Sequence, residues 1–201
     1  MKKITKELIL ITFLSILFIL LTILTINNQI YSIDNLIHSY ILSIRNNNLT
    51  NTMNIITNLG GATCLLATSS ILLIIKNNKK IGINLFLHLI LGFIINQLTK
   101  HIFVRPRPIG INLINESGYS YPSGHSMISL IFYGYIIYLI FKSNLNKFIK
   151  SIIITLLIIL ILLIGFSRIY LGVHYFTDVI GGFLLALIYL LSIKNIKLEK
   201  K

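Results

Sequence analysis

The stretch from Ser167 to Asp178 places an arginine, a histidine and an aspartate between two long apolar segments. His174 and Asp178 are four residues apart, so on a helix they would lie on one face. An aspartate that accepts a hydrogen bond from one imidazole nitrogen leaves the other nitrogen free and more basic. This pattern is typical of an oriented nucleophile or base, and Arg168 is placed to hold an anion beside it. Taken alone, the pair is equally compatible with a base, a ligand or a proton relay.

The composition predicts a membrane-embedded chain. Only 11% of the 201 residues are charged, 55% are hydrophobic, and the mean hydropathy is +0.86. A soluble domain is about 25% charged. The net charge of +13 does not indicate nucleic acid as a partner, because the cations punctuate apolar runs instead of forming one patch. The single cysteine, Cys64, excludes an intramolecular disulfide and a multi-cysteine metal site.

The hydropathy pattern predicts an all-α integral membrane protein that forms one domain over residues 1–201. Apolar runs long enough to cross a hydrocarbon layer of about 30 Å define six transmembrane helices. They cover about 8–26, 53–75, 81–103, 124–141, 149–166 and 174–193. Residues 46–52 are expected to form a polar loop, and Gly60-Gly61 to allow close helix packing. His88 and Asn96 are expected to face inward, with His88 in a structural hydrogen bond.

Residues 30–44 predict an amphipathic helix at the membrane interface, between the first and second spans. Its isoleucines share a helical face, whereas Asp34, Asn35, His38 and Ser39 fall largely off that face. His38 is therefore expected to be solvated.

The distribution of Lys and Arg predicts the orientation in the membrane. The N-terminus, loop 2–3 and loop 4–5 carry three lysines each and the C-terminal tail carries four, which is thirteen of the eighteen basic residues. Both termini are therefore expected in the cytoplasm of a plasma-membrane protein. The other five cations, on the outer side, are Arg45, Lys100, Arg105, Arg107 and Arg168.

A second cluster, Lys100 to Pro108, ends the third span. Pro106 and Pro108 stop the helix and push Arg105 and Arg107 into extended geometry, where they point in different directions. Only one of the two arginines is then expected to grip a ligand. The alternative is a basic cluster that contacts lipid headgroups.

A third cluster, Tyr121 to His125, opens the fourth span. Ser123 is a good N-cap, and Gly124 lets a ligand approach the backbone. Free amides and the positive end of a helix dipole favour phosphate there. The alternative is simply a capped helix with an interfacial histidine.

The ends of spans three to six meet on the outer side, so the three clusters are expected to converge on one anion. Two histidines, fixed cations and one carboxylate fit phosphoryl transfer through a phosphohistidine, with cations stabilising the charge. No metal site is predicted, because the five acidic residues are scattered and only Asp178 belongs to the clusters.

These motifs resemble those of the type 2 phosphatidic acid phosphatase superfamily. Lys100 is followed by six residues and Arg107-Pro108, then comes Pro122-Ser-Gly-His125, then Ser167-Arg168, five residues, His174, three residues and Asp178. All three motifs are complete and in order. They cover about 79 residues, and the six-span layout extends the resemblance over nearly the whole chain.

The resemblance implies a role for each motif residue. His174 would attack phosphorus, Asp178 would orient it, and His125 would protonate the leaving oxygen. No cofactor is implied. Arg105 lies outside the motif, and the role expected for it is contact with a lipid headgroup. The residues that would hold the phosphate are Lys100, Arg107, Ser123, Gly124 and Arg168.

The resemblance also implies a lipid phosphate as substrate and membrane lipids as partners, and it leaves the oligomeric state open. Short six-span members resemble bacterial undecaprenyl pyrophosphate phosphatases, so undecaprenyl pyrophosphate is the first substrate we expect. Alternatives within the class are a phosphatidylglycerophosphate or phosphatidic acid phosphatase and a lipid phosphotransferase. The alternative from another class, a transporter of anionic lipids, is disfavoured because the charges lie at one face, not at the midplane.

Overall fold

The computed structural model describes residues 2–75 and 79–199, which contain eight helices and no strand. Lys76, Lys200 and Lys201, which entered the charge count, lie outside the described residues. The helices are α1 Lys2–Ile26, α2 Tyr31–Ile44, α3 Asn47–Leu59, α4 Ala62–Ile74, α5 Lys79–Phe103, α6 Gly124–Lys142, α7 Lys147–Tyr170 and α8 Phe176–Glu199.

Five of these helices are long and apolar enough to cross a membrane: α1, α5, α6, α7 and α8. The α3–α4 pair passes the same test only as a unit, and it is bent by 44° at its break. The described part of the chain is therefore all-helical, with five or six candidate spans. Helices suit a lipid environment because each backbone polar group forms its hydrogen bond within its own helix.

The second predicted span differs from the structure in two ways. It starts earlier, because residues 47–52 are the first turns of α3 and not a loop; Asn46 caps them by accepting a hydrogen bond from the Leu49 amide. It is also broken at Gly60-Gly61. A Cβ at Gly60 would lie 2.4 Å from Cγ2 of Ile164, so the expected close helix packing is confirmed there.

Helix α2 forms where the sequence predicts it, but it buries a different face. Asp34 is fully buried and His38 is only 7% exposed, whereas Ile33 and Tyr40 are exposed. The prediction that His38 is solvated is wrong. The reason is tertiary: the turn between α7 and α8, the first turn of α8 and the loop after α5 supply hydrogen-bond partners for these two polar side chains. Buried polar groups are tolerated when they are paired.

The remaining helices pack around α6 and α8. Helix α8 contacts α1 and α6, helix α6 also contacts α5 and α7, and α3 packs along α7. His88 and Asn96 face inward as predicted; Nδ1 of His88 lies 2.9 Å from the Tyr189 hydroxyl, across from α5 to α8. This packing brings one end of α5, α6, α7 and α8 together.

Candidate active site

Backbone hydrogen bonds tie the facing helix ends to one another. The amides of Val173 and His174 both donate to the Arg168 carbonyl, at 3.2 and 3.3 Å, which folds the chain back over the end of α7. The Ser123 amide donates to the Asp178 carbonyl at 2.9 Å, which joins the start of α6 to the first turn of α8. The Tyr121–His125 cluster and the Ser167–Asp178 stretch are thereby held together at one end of the bundle.

His174 lies in the turn before α8 and not on the helix itself. Helix α7 ends at Tyr170, and Gly172 follows with φ +73°, a conformation that glycine adopts without strain. A Cβ at Gly172 would also lie 2.2 Å from the Ile111 carbonyl oxygen. The expectation that His174 and Asp178 share a helical face is therefore wrong in its geometry, although the pair forms: Nδ1 of His174 lies 3.3 Å from Oδ2 of Asp178.

The partners of His174 define its tautomer. A carboxylate accepts hydrogen bonds and a guanidinium only donates them. Nδ1 faces the Asp178 carboxylate, so Nδ1 carries the proton; Nε2 lies 3.2 Å from Nη1 of Arg107, so Nε2 presents its lone pair. This is the tautomer that a histidine nucleophile requires.

The surroundings of His174 keep its imidazole neutral. The side chain is 2% exposed. Burial lowers the pKa of His174 to about 3, against the hydrogen bond and charge of Asp178, which act to raise it. A neutral imidazole whose Nε2 carries no proton can form a bond to an electrophile through that nitrogen.

Asp178 is held by more groups than the sequence suggests. Its Oδ2 accepts from the Ser120 hydroxyl and, at 2.8 Å, from the Tyr175 amide, while Oδ1 accepts from Arg105. The Ser120 oxygen also lies 3.3 Å from Nδ1 of His174. No sequence signal indicated Ser120, because this residue lies just before the Tyr121–His125 cluster in an irregular loop with no periodic pattern.

Arg105 does not contact headgroups; that expectation is wrong. It is 7% exposed, and it bridges two fully buried carboxylates, Asp34 on α2 and Asp178 on α8. Its guanidinium also lies 4.1 Å from the centre of the Tyr175 ring. The prediction that Arg105 and Arg107 point in different directions is confirmed, since Arg107 reaches Nε2 of His174 instead.

His38 approaches the same turn from α2. Its Nε2 lies 3.3 Å from the His174 carbonyl oxygen, and its ring packs against Tyr175. Burial lowers the pKa of His38. Because a neutral ring with a proton on Nε2 can donate this bond, His38 helps to fix the backbone at His174.

A second carboxylate lies beside the cations. Glu116 pairs with Arg168 and lies 3.9 Å from Arg107. Burial acts to raise the pKa of Glu116, but the charge and hydrogen bond of Arg168 outweigh it and the net shift is downward. Only Asp178 was expected among the clusters, so Asp34 and Glu116 correct that prediction. Arg168 also donates to Thr57, at 2.7 Å, while its buried Nε has no partner within residues 2–75 and 79–199.

The remaining predicted residues surround this group. Nζ of Lys100 donates to the Tyr119 carbonyl at 2.6 Å. Ser123 is fully buried and accepts from the Ser126 amide, which confirms it as the N-cap of α6. Gly124 faces Asn96, whose Oδ1 would lie 3.1 Å from a Cβ at that position. His125 follows in the first turn, with Arg168, Glu116, His174 and Lys100 as the charged or titratable groups that act on it.

No three His, Cys, Asp or Glu side chains lie together as metal ligands would within the described part of the chain. The acidic groups near His174 pair with arginines instead. The site therefore offers cations, hydrogen-bond donors at a helix N-terminus, and an oriented imidazole. Such a set suits a tetrahedral oxyanion.

A family model described as "PAP2 superfamily" matches residues 81–200, which include every residue of the three motifs. This chain belongs to the PAP2 superfamily. The match confirms the resemblance seen in the sequence, and it makes the chain a member of a family of lipid phosphatases, enzymes of the hydrolase class.

Two curated PAP2 relatives carry names that state their activities. Phosphatidylglycerophosphatase B of Bacillus subtilis (strain 168) is 36% identical over 160 residues, which are 76% of this chain and 77% of the relative. Undecaprenyl-diphosphatase of Sulfolobus acidocaldarius is 31% identical over 125 residues, 58% of this chain and 55% of the relative.

A solved PAP2 structure has the same fold over nearly the whole length. The transmembrane phosphatidylglycerolphosphate phosphatase from Bacillus subtilis superposes with a TM-score of 0.84 at 30% identity, covering 95% of this chain and 97% of that one. Together with the apolar helices, this likeness identifies a multi-pass membrane protein of the PAP2 type.

Proposed function

We propose that this PAP2 protein hydrolyses a lipid phosphate through a phosphohistidine at His174. The observation that carries the proposal is the setting of the His174 ring: Nδ1 faces the Asp178 carboxylate, and Nε2 faces the Arg107 guanidinium. This setting favours the tautomer with its proton on Nδ1 and its lone pair on Nε2. A guanidinium at that place can bind a phosphate oxygen while Nε2 approaches phosphorus.

The reaction has two steps. Nε2 attacks phosphorus, the bond from phosphorus to the leaving oxygen breaks, and His125 gives that oxygen a proton. Water then attacks the phosphorus of phosphohistidine, His125 takes its proton, and the P–N bond breaks to release orthophosphate. The charge on the phosphate oxygens is stabilised by three cations, Lys100, Arg107 and Arg168. The start of α6, at Ser123 and Gly124, offers backbone amides to the same oxygens.

Two lipids are the leading substrates. Undecaprenyl pyrophosphate is the expectation from the sequence, and the Sulfolobus relative is named for that activity. Phosphatidylglycerophosphate is favoured by the more similar relative, which also matches over a larger share of both chains. Phosphatidic acid is a third member of the same chemical class.

A phosphate-release panel tests the function and ranks the substrates. Detergent-solubilised protein would be given undecaprenyl pyrophosphate, phosphatidylglycerophosphate and phosphatidic acid, with His174→Ala as the blank. We expect release above the blank for at least one lipid and greatest for phosphatidylglycerophosphate. Equal release by the blank would remove the covalent mechanism, and no release for any lipid would favour a carrier.

We also propose the topology: six spans, with α3 and α4 forming one bent span, α2 at the interface, both termini cytoplasmic and the site extracytoplasmic. The lysine distribution supports this topology, and we further propose that residues 1–201 form one domain. Green fluorescent protein fused after residue 201 should fluoresce in the plasma membrane of a bacterial host. A fusion protein that is produced in normal amounts but does not fluoresce would indicate that the C-terminus lies on the extracytoplasmic side.

A further inference from the structure

A buried chain of charges runs from α2 to the candidate nucleophile. Nη2 of Arg105 lies 2.8 Å from Oδ2 of Asp34, and Nη1 lies 2.5 Å from Oδ1 of Asp178. Both carboxylates are fully buried and Arg105 is 7% exposed, so solvent screens these charges little. None of this involves the phosphate-binding cations, and Arg105 and Asp34 lie outside the three motifs.

Asp34 makes every contact as an acceptor. Its Oδ1 accepts from the Thr177 amide at 3.0 Å, and its Oδ2 accepts from the Thr177 hydroxyl at 2.7 Å and from Arg105. The Thr177 hydroxyl in turn accepts from Nη1 of Arg105 at 2.7 Å. Helix α2 is thereby fixed to the first turn of α8, next to Asp178.

These charges act on the Nδ1 side of His174, whereas Arg107 lies on its Nε2 side. Arg105 carries one positive charge between two carboxylates, so the group keeps one net negative charge. Although burial opposes the charged form of Arg105, the charges of Asp178 and Asp34 raise the pKa of its guanidinium above the ordinary value. Without Asp34, Arg105 would pair with Asp178 alone and cancel the charge that faces Nδ1 of His174.

We propose that Asp34 and Arg105 are positioning residues for the reaction: Asp34 balances Arg105, so that Arg105 orients the Asp178 carboxylate without neutralising it toward His174. This inference rests on the proposed role of His174 as nucleophile. It predicts that a net charge of minus one on the group matters more than either side chain, because a developing positive charge on His174 needs one uncompensated carboxylate.

A double-mutant cycle tests the balance. Asp34→Asn leaves the group with no net charge, Arg105→Gln leaves two uncompensated buried carboxylates, and the double variant Asp34→Asn/Arg105→Gln restores one net negative charge. We expect each single variant to lose about 10- to 100-fold in kcat, with KM within about 3-fold, and the double variant to be at least about 5-fold more active than Asp34→Asn. The assay uses the fastest lipid of the three-lipid panel.

Two control variants separate charge from architecture. Thr177→Val removes the hydroxyl that donates to Asp34 and accepts from Arg105, but it keeps the backbone amide bond to Asp34 and all three charges. Its loss in kcat should therefore be smaller than that of Asp34→Asn. Asn35→Ala, at the exposed neighbouring position, should behave like the wild type. Elution profile and thermal unfolding in detergent would establish that each variant is folded.

Each result decides the proposal. A double variant no more active than either single variant, or a Thr177→Val loss equal to that of Asp34→Asn, would overturn it in favour of a structural role. If Asp34→Asn does not fold, the test is the comparison of Arg105→Gln with the double variant. The double variant must then be the more active of the two. Retained activity in His174→Ala would instead refute the proposed function, whatever the cycle shows.

Discussion

Nη1 of Arg107 lies 3.2 Å from Nε2 of His174, and the same nitrogen donates to the Val173 carbonyl at 2.8 Å. The guanidinium is thus fixed by the backbone of the turn that carries the histidine. A phosphate held by Arg107 would meet the Nε2 lone pair without a rearrangement of that turn. Such preorganisation reduces the reorganisation needed during the reaction.

Substitution of the two histidines and Asp178 should separate their roles. We expect His174→Ala to abolish turnover, because no other group supplies the attacking nitrogen. His125→Ala and Asp178→Asn should each slow turnover by roughly 10²–10⁴-fold, as expected for loss of proton transfer and orientation. Phosphate release in detergent measures all three, with His101→Ala, on the exposed side of α5, as a control. Near-normal rates in His174→Ala would contradict the assignment.

Removal of the Glu116 charge should tighten the binding of anions. Glu116 pairs with Arg168 and lies near Arg107, so it competes with any oxyanion for these cations. Orthovanadate can mimic the five-coordinate transition state. We expect the inhibition constant of orthovanadate to fall about 3- to 10-fold in Glu116→Gln, a modest change because the Glu116 carboxylate is partly exposed to solvent, which screens its charge. Asn115→Ala, at an exposed position in the same loop, serves as the control, and an unchanged or higher constant would disprove the competition.

Loss of the Ser120 hydroxyl should impair the reaction step more than binding. The hydroxyl donates to Oδ2 of Asp178 and also lies beside Nδ1 of His174. A buried hydrogen bond to a charged group contributes about 1.5–3 kcal/mol. We expect Ser120→Ala to lower kcat by about 10-fold with KM changed less than about 2-fold, because the alanine leaves the phosphate-binding cations in place. Steady-state kinetics of Ser120→Ala and of the exposed Ser117→Ala would reveal a binding role if KM rose instead.

Acid should destabilise the fold partly through His174. Its pKa is lowered from 6.5 to about 3 in the folded protein, so between these values only the unfolded state binds the proton. The free energy of unfolding therefore falls as the pH drops below about 6.5, by about 2 kcal/mol at pH 5 for this one group. We expect the Tm in detergent to fall less between pH 7.5 and pH 5 in His174→Gln than in the wild type. Equal slopes in the two proteins would show that His174 titrates normally.

Activity should survive EDTA. The cations near His174 are arginines and a lysine, and the carboxylates nearest it are engaged with Arg105 and Arg168. We therefore expect unchanged phosphate release after chelation and gel filtration. A complete loss that Mg²⁺ restores would show that a metal ion takes part.

The sequence predicted most of the helices correctly because hydropathy over about 20 residues is a local property. It failed where local and tertiary preferences differ. The Asn-rich segment at 47–52 looks like a loop, yet the cap at Asn46 starts a helix there. The inward face of α2 looked solvated because Asp34 and His38 are polar, and nothing near them in the chain reveals their partners.

The sequence by itself determined the three motifs, their order and the family, because residue types and spacings carry that information. Only the tertiary structure decided which groups surround His174. The contacts from Arg105 to Asp34 and Asp178 span 71 and 73 residues, and that from Thr177 to Asp34 spans 143. Such contacts depend on how the helices pack, and the energy of a buried charge depends on the partners that packing provides. The positioning role proposed for Asp34 and Arg105 is a product of that packing.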